Sequence, residues 1–131
     1  MKKTPLLNIA LSEVIASLGH GDMLVIGDAG LPIPPETLRI DLALTKNIPS
    51  FTDTVRTVLE EMRVEKVLVA RETAQVSPQV LAELKRLLPD TPFEEISHSE
   101  LKEHCARARA VVRTGEFTPY ANVILVAGVV F

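Results

Sequence analysis

The stretch Met23–Pro35, MLVIGDAGLPIPP, decides how this chain folds. Its first five residues form a short apolar run that is typical of a strand and that closes on Asp28. From Asp28 onward, one glycine and three prolines prevent regular structure, because proline fixes φ and has no backbone N–H to donate. The stretch therefore predicts a strand that ends in a stiff loop.

Helical and strand patterns alternate on both sides of this stretch. Upstream, apolar residues from Leu7 to Leu18 recur at three- and four-residue spacings and predict a helix that ends at Gly19 or Gly21. Downstream, strands are predicted at 38–42, 66–70, 93–96, 110–113 and 123–130, and helices are predicted to begin at Ser50, at an N-cap formed by Ser77 before Pro78, and at Ser97. Strands that alternate with helices predict an α/β fold, a single layered domain over residues 1–131 with a mainly parallel central sheet flanked by helices.

The composition limits the classes of function. The 131 residues suffice for one domain, and 47% hydrophobic residues supply its core. A formal net charge of −3 provides no basic excess for a phosphate backbone, so nucleic acid is not expected as a partner. The single cysteine, Cys105, excludes an internal disulfide and a multi-thiolate metal site, which predicts a reducing compartment, the cytoplasm.

Membrane insertion and nucleotide binding also lack their sequence signals. No apolar run reaches the about 18 residues that a spanning helix needs, and Ser12 and Glu13 interrupt the run that follows the N-terminal lysines. We therefore expect no membrane partner and no export. The glycine motifs that cradle phosphates and the serine elbow of α/β-hydrolases are missing, which favours an uncharged ligand over a nucleotide.

His20 and Asp28 are the first candidates for chemistry. His20 lies just past the end of the predicted first helix, where an imidazole can exchange protons near neutral pH, although a surface histidine at a glycine stop fits equally well. Asp28 closes a strand, and ligands of α/β sheets dock at the carboxyl ends of strands, where a carboxylate can accept two sugar hydroxyls. The alternative for Asp28 is stabilisation of its own turn, and the nearby His20 favours function. A metal site made of His20, Asp22 and Asp28 is disfavoured because no further nitrogen or sulfur ligand is evident.

A second pair of candidates lies on the last predicted helix. Ser97 and Glu100 have the spacing of a capping box, which places His98 in the first turn, where the helix dipole favours a neutral, hydrogen-bonding imidazole. Lys102 follows four residues later on the same face, so both side chains could reach one ligand, unless they are exposed surface residues. Cys105 and His104 point to different faces and form a poor nucleophilic pair, so Cys105 is interpreted as a packed core residue.

The polar segment Arg113–Asn122, RTGEFTPYAN, lies between two apolar strands. If it is extended, Tyr120 and Asn122 alternate onto one side and offer a ring, a hydroxyl and an amide that both donates and accepts. Such groups suit a neutral polyol. The alternative is a plain connection, since Gly115 and Pro119 are common in turns.

Four separated motifs carry a resemblance that covers the whole chain. They are GHGD at 19–22, DAGLPIP at 28–34, RTGEFTPYAN at 113–122 and GVVF at 128–131. In this order they resemble the D-ribose pyranase branch of the RbsD/FucU sugar mutarotase family. DAGLP favours the ribose branch, since the fucose branch carries a different loop after its Asp-Ala.

The resemblance implies an RbsD-like fold, a catalytic residue and a set of sugar-binding residues. His20 would act as general acid and base in the interconversion of the β-pyranose and β-furanose forms of D-ribose, which needs proton transfer but no cofactor and no metal. The residues implied to bind the sugar are Asp28, His98, Lys102, Tyr120, Ala121 and Asn122, with Ala121 acting through its backbone.

The resemblance also implies a homo-oligomer, a decamer of two stacked pentameric rings with sites shared between subunits. The apolar stretch Val123–Phe131 supports this, because some other surface must cover it. Three alternative functions stay open at this point: a non-catalytic sugar-binding module associated with ribose uptake, a mutarotase for another monosaccharide such as L-fucose, and a metal-dependent hydrolase, whose activity would be lost on chelation.

Overall fold

A computed structural model describes residues 1–131 as a six-stranded sheet with helices on both faces. The strands are β1 (Met23–Gly27), β2 (Arg39–Asp41), β3 (Val64–Ala70), β4 (Phe93–Ile96), β5 (Ala110–Arg113) and β6 (Val123–Ala127). The helices are α1 (Ile9–Ser17), α2 (Phe51–Leu59), α3 (Arg71–Val76), α4 (Pro78–Leu87) and α5 (His98–Cys105). The predicted α/β class is confirmed, and none of these helices is long and apolar enough to cross a membrane.

The sheet has the strand order β2-β5-β1-β6-β3-β4. Pairs β1/β5, β2/β5 and β3/β4 are parallel, whereas β6 is antiparallel to both of its neighbours, β1 and β3. Five strands therefore run in one direction, which confirms a mainly parallel sheet, and β6 runs against them. We call the edge at which β1–β5 end and β6 begins the C-terminal edge of the sheet.

Two apolar clusters bury the two faces of the sheet, because successive strand residues point to opposite sides. In β1, Leu24 and Ile26 join the larger cluster, while Val25 joins the smaller one. The larger cluster packs against α1, α2 and α4, and the smaller one against α5. Leu31 of the proline-rich loop also lies in the smaller cluster, which anchors the loop that follows Asp28.

All three predicted helix starts are confirmed, with Ser50, Ser77 and Ser97 at the N-cap positions, and two of them carry a side-chain capping hydrogen bond. The side chains of Ser50 and Ser97 accept the backbone N–H groups of Asp53 and Glu100, at 3.1 and 3.0 Å. Ser77 also occupies the predicted N-cap position, directly before Pro78, but its side chain makes no capping hydrogen bond, because its buried hydroxyl donates to the carbonyl of Pro119 at 2.6 Å. The Ser77 hydroxyl is therefore bonded to a loop carbonyl and not available to the backbone N–H groups at the start of α4.

The remaining differences concern boundaries and one short helix. Strand β6 ends at Ala127 rather than at Val130, because neither neighbouring strand extends further to pair with it. Strand β3 begins at Val64 rather than at Lys66. Helix α3 is not apparent in the sequence, because its six residues are too few for an apolar period.

Gly115 marks the closest crossing of two loops. A Cβ on this residue would lie 2.4 Å from the carbonyl oxygen of Ile48 and 2.5 Å from that of Thr45. These are backbone atoms, and the Gly115 N–H donates to the carbonyl of Pro49 at 2.9 Å. Neither of the two backbone segments can therefore easily move away. The segment that leads to Tyr120 is held in place by this crossing.

We expect Gly115→Ala to lower the free energy of unfolding by roughly 1 to 3 kcal/mol, because the added methyl group overpacks the crossing. The measurement is denaturant or thermal unfolding. Gly19→Ala is the control, since its Cβ would meet only a side-chain oxygen at 3.6 Å, an ordinary contact, and its effect should stay within about 0.5 kcal/mol. Equal stability of the two variants would contradict the conclusion that the backbone contacts at Gly115 leave no room for a Cβ.

Candidate active site

Polar side chains from three elements meet at the C-terminal edge of the sheet. Asp28 directly follows β1, His98 follows β4, and Tyr120 and Asn122 precede β6. They come to one edge because β6 runs against the other strands, so that its beginning lies beside their ends. This is the edge at which ligands dock in α/β sheets.

Asn122 is almost completely buried, with 1% of its surface exposed. Its side-chain oxygen accepts the backbone N–H of Asp28 at 2.9 Å, a contact between residues 94 positions apart. Its amide nitrogen, Nδ2, is buried and has no hydrogen-bond partner. The oxygen thus fixes the orientation of the amide and leaves two N–H donors for a ligand.

His98 occupies the first turn of α5 as the capping pattern predicted. Its backbone N–H donates to both carboxylate oxygens of Glu72, at 3.2 and 3.1 Å. Its ring packs edge-to-face against Tyr120, with centroids 5.0 Å apart and an interplanar angle of 89°. The ring nitrogen Nδ1 is buried and has no partner.

Tyr120 adopts a left-handed backbone conformation with φ of 58°, which is uncommon for a residue other than glycine. Two hydrogen bonds hold its carbonyl oxygen: the Thr73 hydroxyl and the Asn122 N–H each donate to it, both at 2.9 Å. Such strain persists only where the surroundings impose it, and it is common at binding sites. The strained turn sets the side chain of Tyr120 against His98.

One carboxylate oxygen of Asp28 holds its own turn, and the other makes no hydrogen bond within the protein. Oδ1 accepts the N–H of Gly30 at 2.9 Å, so the turn-stabilising role considered for Asp28 is present. Burial raises the pKa of Asp28 above its ordinary value, against the opposing effects of nearby backbone N–H groups and the charge of His98. A carboxylate that is partly desolvated and keeps one oxygen unused is suited to accept a hydroxyl.

The structure does not tie the other two predicted binding residues to this cluster. Lys102 is exposed on α5 and makes neither a hydrogen bond nor an ion pair. Ala121 is fully buried, and its N–H approaches the carbonyl of Thr118 at 3.4 Å within the turn. Contacts of Lys102 and Ala121 with a sugar remain predictions.

His20 lies at the opposite edge of the sheet. It precedes β1 whereas Asp28 follows it, and five extended residues span about 16 Å. His20 and Asp28 of one chain are therefore not brought together, although they are close in sequence, because a straight strand runs between them. For the same reason His20, Asp22 and Asp28 cannot converge on one metal ion.

The surroundings of His20 are exposed and partly apolar. Its side chain is 61% exposed, and its Nε2 lies 2.8 Å from the Oε2 of Glu65. The adjacent cleft is lined by Leu18, Met62 and the terminal residues Val129–Phe131. His20 is thus free to meet another molecule.

Two carboxylates that sequence reasoning missed support the cluster. Glu72 holds the start of α5; its burial acts to raise its pKa, but the N–H groups of Glu72 and His98 and the charges of His98 and Arg71 lower it overall. Glu116 accepts the N–H of Phe51 at 2.9 Å and the hydroxyl of Thr118 at 2.7 Å. Glu72 follows the end of β3 as Asp28 follows β1, so its position in the sequence was a signal, whereas no local pattern marks Glu116.

Cys105 is excluded as a nucleophile. It is fully buried in the smaller apolar cluster, and burial raises the pKa of its thiol to about 11. Its interpretation as a packed core residue is confirmed.

Comparisons with known proteins agree on one family. Residues 1–130 match the model of the RbsD / FucU transport protein family. A D-ribose pyranase of Chloroflexus aggregans is 70% identical over 131 residues, which cover 100% of both chains.

Solved structures show the same fold. The structure of Bacillus subtilis RbsD complexed with D-ribose superposes with a TM-score of 0.97 at 48% identity and covers 100% of both chains. The fucose mutarotase of Streptococcus pneumoniae, in complex with L-fucose, covers 100% of both chains with a TM-score of 0.82, but at 22% identity it indicates the fold alone.

We expect Asp28→Asn to raise the melting temperature at pH 7. A raised pKa means that the folded state binds the proton more tightly than the unfolded state, so stability falls as pH rises from the unfolded to the folded pKa. Above both values the charged form costs stability, which the neutral amide avoids while its oxygen still accepts the Gly30 N–H. The gain should shrink toward pH 3 and lower, where the native carboxyl is itself protonated. A variant that melts below the native protein at pH 7 would contradict this.

Proposed function

Because the chain belongs to the RbsD/FucU family, we propose that the cluster at the C-terminal edge of its sheet is the sugar-binding half of an active site. The chain catalyses the D-ribose pyranase reaction, the interconversion of the β-pyranose and β-furanose forms of D-ribose. The enzyme is an isomerase, since the reaction changes the ring form and nothing else.

One observation carries the assignment of the sugar site. Only two buried side-chain polar atoms in the whole protein lack a hydrogen-bond partner, Nδ1 of His98 and Nδ2 of Asn122. Each such atom costs about 1 to 3 kcal/mol, so native proteins retain few of them. Both belong to residues that the family resemblance implies in sugar binding, and both lie at one edge of the sheet.

A neutral sugar meets the hydrogen-bonding needs of this cluster. Hydroxyl groups both donate and accept, so one can accept from the amide of Asn122 while another donates to the free oxygen of Asp28. His98 and the Tyr120 hydroxyl would bind further hydroxyls. Lys102 and the backbone of Ala121 are included as weaker contacts, on the resemblance alone.

Proton transfer is the only catalytic assistance that the reaction needs. The anomeric hydroxyl gives up its proton, its electrons form the C1=O double bond, and the bond between C1 and the ring oxygen breaks. The ring oxygen takes a proton, and a different hydroxyl then attacks C1 of the open aldehyde, losing its own proton as the carbonyl oxygen gains one, so that the second ring closes. His20 is proposed as the group that accepts and returns the proton, and no cofactor or metal is required.

His20 must come from a neighbouring subunit in this proposal. Within one chain it is separated from Asp28 by the length of β1, and both regions expose apolar side chains: Phe117 is 60% exposed near Asp28, and Val130 is 83% exposed near His20. Burying one patch against the other would pair unlike surfaces, the kind of contact that closes into rings. A homodecamer of two stacked pentameric rings, as the resemblance implies, would satisfy this requirement.

The single free cysteine supports a cytoplasmic location for this assembly.

We expect His20→Ala to lower the rate of ring exchange by about 10²- to 10⁴-fold while ribose binding persists, because an acid/base group acts mainly in the transition state. The measurement is NMR saturation transfer between the anomeric signals of ribose, with buffer alone as the reference. Near-normal exchange in the variant would move the catalytic role elsewhere. Exchange at the buffer rate with the native protein would leave only a sugar-binding module.

We expect subunits carrying His20→Ala and subunits carrying Asn122→Ala to restore activity when they are refolded together. Asn122→Ala alone should weaken binding by roughly 1 to 3 kcal/mol. In a mixed ring, an intact His20 of one parent can face an intact Asn122 of the other, and random assembly of equal amounts leaves about a quarter of the sites whole. Mixtures no more active than their parents, or a monomer by sedimentation, would refute the shared site and leave the pyranase assignment standing.

A further inference from the structure

We propose that Glu65 is a positioning residue for His20, which holds the imidazole through Nε2 and leaves Nδ1 as the nitrogen that faces the sugar. The inference rests on the proposed role of His20 as general acid and base. It adds a residue, from β3, that neither the sequence motifs nor the sugar-binding cluster includes.

The contact itself defines which nitrogen is free. Oε2 of Glu65 lies 2.8 Å from Nε2 of His20. A carboxylate can only accept hydrogen bonds, so Nε2 carries the hydrogen in this pair. A neutral imidazole then has its lone pair on Nδ1, which is the atom able to accept the anomeric proton. After the transfer the imidazolium is stabilised by the carboxylate on its other side.

A β-bulge brings Glu65 to this position. Val64 pairs with Ala127 of β6, but Lys66 pairs with Val126, so Glu65 is an extra residue with no partner on β6. A bulge of this kind redirects a side chain and is frequent next to active sites. Without the bulge, Glu65 would pair with a residue of β6, and its side chain would follow the regular alternation along β3.

The same end of β6 also holds the loop that carries His20. The carbonyl of Ala127 accepts the N–H of Gly21, and the N–H of Ala127 donates to the carbonyl of Asp22, both at 2.8 Å. Gly128 follows, and a Cβ on it would lie 3.0 Å from the Cβ of Glu65. The absence of a side chain at residue 128 therefore lets the bulge approach the loop.

Stability does not explain the pair. The side chains of His20 and Glu65 are 61% and 43% exposed, and exposed ion pairs contribute about 0 to 1 kcal/mol. In the proposed assembly the pair would instead face the sugar bound to the neighbouring subunit. Its effect is thus expected on the rate rather than on folding.

The test is Glu65→Gln, with Glu83→Gln as the matched control. Glu83 is also 43% exposed and ion-paired, with Arg86, but it lies on α4 away from both halves of the site. Ring exchange is measured by saturation transfer over a range of ribose concentrations. We expect Glu65→Gln to lower kcat by roughly 10- to 100-fold with KM within about twofold, since it acts on proton transfer and not on binding. The control should match the native enzyme.

Mixing the variants locates the action of Glu65. Refolding Glu65→Gln with Asn122→Ala should restore activity, whereas refolding it with His20→Ala should give only the average of the parents, because Glu65 acts on the imidazole of its own chain. Native kcat in Glu65→Gln, a change confined to KM, or recovery with His20→Ala would each overturn the inference. The two claims are tested by different variants. Activity in His20→Ala would refute the proposed role of His20, whereas native kcat in Glu65→Gln would refute only the role of Glu65.

Discussion

The direction of β6 is the constraint on which the rest of this structure depends. Five strands run one way, and β6 runs against them between β1 and β3. Because of this reversal, the residues that precede β6 lie beside the residues that follow β1 and β4. The hydrogen bond between Asn122 and the backbone of Asp28 exists only in that arrangement. A sixth parallel strand would put Tyr120 and Asn122 at the opposite edge, and no binding cluster would form.

The same geometry places His20 and the proposed sugar-binding residues at opposite edges of the sheet. Asp28 directly follows β1 and His20 precedes it. Because β1 is extended, the residues at its two ends cannot come together. His20 and the proposed sugar-binding residues of one chain are therefore always apart. In the proposed function, association of subunits is therefore a condition of catalysis, and it gives the exposed apolar side chains at both edges a role in the assembly.

The energetic costs of the fold concentrate where the sugar is proposed to bind. The left-handed conformation of Tyr120, the two buried polar atoms without partners and the raised pKa of Asp28 all lie at the C-terminal edge. Each opposes folding, and the two buried apolar clusters outweigh them. Hydrogen bonds from Thr73 and Ser77 hold the strained segment, so the groups proposed to bind the sugar are already in place in the folded chain.

The sequence by itself determined the class of fold, the order of the elements and most of their starts. These depend on apolar periods and on hydrogen bonds between residues three or four apart, as in the caps of Ser50 and Ser97. It also named Asp28, His98, Tyr120 and Asn122, which do meet. Only the tertiary structure decided that His20 stands apart from them, that the Ser77 hydroxyl serves Pro119 instead of α4, and that a bulge in β3 brings Glu65 to His20. Those outcomes depend on which distant segments become neighbours, and pairing across the sheet is not encoded in any local spacing of residues.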